Sequence, residues 1–171
     1  MLNNLWLTVA LYAYPSLDLY IKMYRRKLKA FKNISIEKLA GYTTDTFIKD
    51  LDRLAEKAEN LAVLKHTIDA AMFMLDEEKR QIVKHFYFEE LSGFQIMEAM
   101  GLAYNTYRYK KRAALKSLAQ NMYILGMTDK RFVEFFDDER LIVNVCEYVL
   151  ENNLTRAEKA EPKAEPLAAV R

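Results

Sequence analysis

Apolar residues recur along this chain at the three- and four-residue spacing of amphipathic helices. Leu17, Tyr20, Ile21, Tyr24, Leu28 and Phe31 make one such stripe. It begins after Pro15 and Ser16, which are expected to close a shorter apolar segment, LWLTVALYAY. The opposite face carries Lys22, Arg25, Arg26, Lys29 and Lys32, with no acid between Asp18 and Glu37. SIEKLAG then predicts a short helix capped by Ser35 and ended by Gly41. Thr44 or Asp45 opens a long stretch whose Leu51, Leu54, Ala58, Leu61, Ile68, Met72 and Leu75 keep a heptad-like seam, broken at Lys65. A charged break after so few heptads favours packing on the chain's own core and leaves a homodimer through the seam open.

The pattern resets at Asp76, where Asp76, Glu77 and Glu78 suit a helix N-terminus. Ile82, Val83, Phe86 and Tyr87 form the inward stripe of that helix, and Leu91, Ser92 and Gly93 interrupt it. Ser92 can cap a short helix that Gly101 ends, and a basic helix begins about Ala103. Residues 128–152 are amphipathic through Phe132, Phe135, Leu141, Val145 and Val149, and split near Asp137 and Asp138. The closing TRAEKAEPKAEPLAAVR has no apolar period and is expected to be a disordered tail. These breaks set apart a helical extension over 124–153 and a tail over 154–171; the extent of the family resemblance given below implies a helix-turn-helix unit over 64–123, preceded by a helical region over 1–63.

Composition sharpens the class. Half the residues are apolar, and the 171 positions include only four glycines and three prolines. Sheets joined by tight turns consume both, so an all-α protein is expected. The single cysteine, Cys146, rules out an intrachain disulfide and fits a reducing compartment. The N-terminal apolar run is too short to span a bilayer and lacks a basic leader, so no membrane association is expected and the location is cytoplasmic.

The charge is less evenly spread than its totals, 26 basic against 24 acidic residues, suggest. MGLAYNTYRYKKRAALKSLAQNM, residues 100–122, holds five cations and no acid. Two helices joined by a short turn containing Gly101 suggest a helix-turn-helix, with Ile96, Met100, Leu102 and Tyr107 holding the pair together. On a wheel of the second helix, Tyr107, Ala114, Leu118 and Met122 share one side, with Leu115 at its margin. The other side gathers Asn105, Arg108, Tyr109, Arg112 and Lys116. Tyr104, Asn105, Arg108, Tyr109 and Arg112 are the candidates for facing bases, since Arg pairs with guanine and Asn with adenine in bidentate fashion. Ser92, Gln95, Lys110, Lys111 and Lys116 are the candidates for phosphate, which fixes register without reading sequence. Alone, a basic helix face is more often plain solvated surface. The turn and bracing helix shift the balance to double-stranded DNA; no turn frames the basic face at residues 22–32, where solvated surface is expected.

The run LDEEKRQIVKHFYFEELSGFQIMEAMGLAYNTYRYKKRAALKSLAQNM resembles region 4 of bacterial sigma factors, which reads the promoter −35 element. The matching landmarks include Leu75, Arg80, Ile82, Val83, Tyr87, Leu91, Ile96, Gly101, Thr106, Ala114 and Leu118. IDAAMFMLDEEKRQIV followed by NTYRYKKRAALKSLA looks closer still to phage late-gene transcriptional activators of the ArpU/RinA type. Three positions depart from the sigma pattern. Met97 stands where a small residue is usual, Lys111 where an apolar one is, and Ala113 where a basic one is. Residues 1–60 show no match to the strand-melting region, so a complete sigma factor is not expected. The resemblance implies a transcriptional regulator of phage or prophage origin, with RNA polymerase as a partner. Two alternatives stand beside it: another phage DNA-binding role such as packaging, and a helical adaptor or inhibitor that binds protein without DNA.

Chemistry has little to stand on. His66 and His85 lie apart in helices, and no glycine-rich phosphate loop, His-Glu-x-x-His or Gly-x-Ser-x-Gly occurs. Glu134, Asp137, Asp138 and Glu139 are expected to form a solvated acidic corner, and Cys146 to be an inert buried thiol. An enzyme is not expected, nor a cofactor or metal.

Overall fold

The computed structural model describes residues 2–32 and 43–157, and every regular element among them is helical. The chain is all-α. Helix α1 (Asn4–Lys32) and helix α2 (Thr44–Phe73) form the longest pair. Thr43 caps α2 by accepting from the Thr46 amide. The two run antiparallel: Phe31 meets Phe47 at one end, and Tyr14 donates to Asp69 at the other.

Two expectations change here. Pro15 does not end a helix; it lies inside α1. Proline in a helix interior costs about 3 kcal/mol. The segment around it buries Leu7, Val9, Leu11, Ala13 and Leu17, and each fully buried Val or Leu contributes about 1.5–3 kcal/mol. Packing outweighs the local penalty. The α2 seam, in turn, is spent within the chain. Ala58, Leu61, Ile68, Met72 and Leu75 are buried in the same core as α1, and Leu51 and Leu54 are half-buried. The expected helix at SIEKLAG lies outside the described residues.

Asp76 caps helix α3 (Glu77–Val83), accepting from the Lys79 amide. The chain then widens into one π-helical turn, Lys84–Phe88. That turn sends three successive aromatics to different neighbours. Phe86 faces Lys111, Tyr87 meets Tyr12 edge-on, and Phe88 stacks on Tyr14 at 4.2 Å. Glu90 takes a left-handed conformation at φ 54° to re-aim the chain. Helix α4 (Gly93–Met100) and helix α5 (Tyr104–Ile124) follow. Helices α6 (Asp129–Phe136) and α7 (Arg140–Glu151) split near Asp137 and Asp138 as the pattern expects.

The first residues of the expected tail are helical, and residues 158–171 lie outside the described ones. Leu154–Ala157 forms a final turn, α8, whose Leu154 packs on the core. A boundary at 63/64 also falls in mid-helix, within α2. One continuous core takes in Val9 and Leu11 of α1, Leu61 of α2, Leu118 and Met122 of α5, Phe132 of α6 and Val149 of α7. The acidic corner is corrected at one residue, while Glu134, Asp137 and Asp138 are exposed as expected. Glu139 is 1% exposed, accepts from the Tyr24 hydroxyl at 3.0 Å and caps α7. Asp138 is bridged by Arg53 and Lys57. No helix among the described residues is long and apolar enough to cross a membrane.

Candidate nucleic-acid interface

The turn between α4 and α5 forms as the local sequence dictates. Ser92 and Gln95 make a reciprocal capping box at the start of α4. Gly101 ends α4 in the left-handed region, at φ 63°, and its amide bonds back to Glu98. Leu102 donates to Met97, which completes the C-terminal motif and turns the chain. Ile82, Ile96 and Tyr107 then form a small core of their own, flanked by Leu91, Met97, Met100 and Leu102. This core joins α3, α4 and α5, so the bracing contacts expected of Ile96, Met100, Leu102 and Tyr107 are present.

Helix α5 buries Tyr107, Ala114, Leu115, Leu118, Ala119 and Met122. Asn105, Tyr109, Arg112 and Lys116 are exposed on its other side. Tyr109 stands furthest out, at 74% exposure. Ala103 precedes the helix and provides no side-chain cap. The first amides of α5 therefore open beside the outward residues, where a helix N-terminus favours an anion.

Several candidates sit otherwise than the wheel alone suggests. Lys111 is 6% exposed, and its ammonium lies 3.3 Å from the centre of the Phe86 ring. A buried, ring-bound lysine has no reach to a phosphate, so that role is corrected. Lys110 is half-buried and pairs with Glu78 of α3, so its charge is already largely matched. Arg108 is half-buried and lies over the Tyr104 ring at 5.6 Å, and its Nε is buried without a hydrogen-bond partner. At about 100° from Tyr107 on the wheel, Arg108 marks the margin of the outer face rather than its middle. Ser92 and Gln95 are exposed, but their side chains serve the capping box.

Three participants escaped sequence reasoning. Glu78 and Phe86 hold Lys110 and Lys111 from elements that only the fold brings near. Phe94 is 60% exposed on α4, at the rim of a concavity also lined by Met97, Leu102 and Tyr104. The wheel did carry a signal for Lys111, which falls four residues after Tyr107 and three before Ala114.

Elsewhere, His66 is exposed and His85 pairs with Glu89. Cys146 is half-buried, and burial pushes its thiol up. No group of three or more His, Cys, Asp or Glu residues among the described residues is arranged to hold a metal ion. No family model, no curated protein and no solved structure matches the chain.

Proposed function

We propose that this protein is a sequence-specific DNA-binding regulator of transcription, in which α5 enters the major groove. One observation carries the proposal. A helix braced across a glycine turn exposes Asn105, Tyr109, Arg112 and Lys116 together, while its opposite side is buried. Such a face combines base-reading donors with a phosphate contact. Arg112 and Asn105 read base edges, Tyr109 packs against the groove, and Lys116 fixes register. Arg108 and Tyr104 form a stacked pair at the margin of the contact. The likeness to sigma region 4 and to phage late-gene activators supplies the finer assignment: a phage or prophage activator, working in the cytoplasm, that brings RNA polymerase to a promoter.

Selection of bound duplexes from a random pool tests this directly. One half-site resembling a −35 element should be enriched, and added RNA polymerase should raise occupancy of a promoter carrying it. With that site in hand, Arg112→Ala should weaken binding by about 1–3 kcal/mol and relax preference at one position. Lys116→Ala should weaken all sequences alike. No duplex binding at low salt would overturn the proposal. Equal loss on all sequences from Arg112→Ala would remove Arg112 from base reading.

A further inference from the structure

Exposed cations elsewhere in the molecule commonly hold a carboxylate, as Lys49 holds Asp45, Arg53 holds Asp138 and Lys130 holds Glu134. Lys22, Arg25, Arg26 and Lys29 are exposed on α1 and make no ion pair with any described residue. Asp18, the last acid before them, lies 3.9 Å from Lys65. Lys22 stands three and four residues before Arg25 and Arg26, and Lys29 four and three after them, so the four line one side of the helix, where like charges oppose one another. In having no acid partner among the described residues they match Arg112 and Lys116 of α5.

The position of this stripe is informative. Tyr12 and Tyr14 of α1 contact Tyr87 and Phe88 of the π turn, which leads into the helix-turn-helix. On a wheel these two tyrosines flank the side of α1 that bears Leu11. Lys29 is five whole turns from Leu11 on that side, and Lys22 is within about 20° of it. The stripe therefore continues along α1 from the side against which the π turn packs. It lies roughly 16–27 Å further along the axis, less than the roughly 34 Å of one duplex turn.

We infer that Lys22, Arg25, Arg26 and Lys29 form a second phosphate-binding surface, which holds duplex flanking the site read by α5. The inference rests on the DNA-binding function proposed above, and adds a surface that reads no sequence.

The test is the salt dependence of affinity for a duplex of about 40 base pairs with the selected site at its centre. Each phosphate contact contributes about 0.9 to the slope of log affinity against log salt. The variant Lys22→Gln/Arg25→Gln/Arg26→Gln/Lys29→Gln should lower the magnitude of that slope by about 2–4 relative to the full-length protein and keep its preference for the site. Lys49→Gln/Lys130→Gln, which alters exposed charges elsewhere, should leave the slope as it is. A drop smaller than about 0.9, one contact's worth, or one no larger than this control's, overturns the inference and leaves an acidic protein as the stripe's partner. All four residues are exposed, and an unchanged helical circular dichroism spectrum and Tm confirm that the variant is folded. If the unaltered protein binds no duplex, the DNA-binding function fails first. If it binds and the variant keeps the same slope, the second surface alone fails.

Discussion

Lys111 lies about 40° from Tyr107 on the α5 wheel, so its stem leaves the helix on the buried side. Its ammonium is accommodated there because Phe86 presents a ring face 3.3 Å away. A desolvated cation over an aromatic face is worth about 2 kcal/mol, and the four-carbon stem adds apolar packing. Lys111→Ala should therefore lower stability by about 2 kcal/mol, read as a shift in the urea midpoint, and leave the salt slope of duplex binding intact. Unchanged stability with a shallower slope would return Lys111 to the phosphate face. Arg112, one residue on, points the other way: one position on a helix decides between core and ligand. Charge alone does not separate the two, whereas the angle does.

Helix α4 and the turn that follows it are local constructions, legible from Ser92 at its start and Gly101 at its end before any fold is known. Gly101 has φ 63° and no atom within 4 Å of where a Cβ would stand. Gly101→Ala should therefore cost backbone strain only, about 1–2 kcal/mol. Thermal unfolding should report that loss, and duplex affinity well below Tm should change little. A much larger loss would mean that the turn is crowded. The π turn before α4 was not legible. A single added residue in one turn leaves the apolar spacing of Ile82, Val83, Phe86 and Tyr87 nearly unchanged. Only Tyr12 and Tyr14 of α1 and Lys111 of α5 reveal why the turn widens. Pro15 teaches the converse, since a strong local signal to stop is overridden by burial on either side of it.

At the scale of the molecule, the segment from α3 to α5 is not a detachable unit. Its π turn rests on Tyr12 and Tyr14, and Leu115, Leu118, Ala119 and Met122 of α5 join the core built on α1 and α2. A fragment spanning 64–123 should show no cooperative thermal transition by circular dichroism, whereas the full chain should; a sharp transition in the fragment would contradict the shared core. Acid should loosen the same assembly. Side-chain hydrogen bonds from Arg53 and then Lys57 hold the Asp138 carboxyl below its usual range. Lys79 does the same for Asp76, and His85 followed by Lys84 for Glu89. Carboxyls depressed in the folded state stabilise it above their unfolded value of about 4. That contribution is lost as pH falls through the depressed folded values. Tm should be level between about pH 5 and 7 and fall below about pH 4, with a shallower fall in Asp138→Asn. A level Tm through that lower range would show that these pairs carry no stability.

Helix content, the capping box, the glycine turn and the inner and outer sides of α5 follow from the sequence itself, because each depends on residues within a turn or two of one another. Which cations remain available was settled in three dimensions. Glu78 meets Lys110 across 32 residues and Glu139 meets Tyr24 across 115, and no periodicity records such encounters. The continuity of α1 through Pro15 belongs to the same class, because there the energy of long-range packing exceeded a local preference.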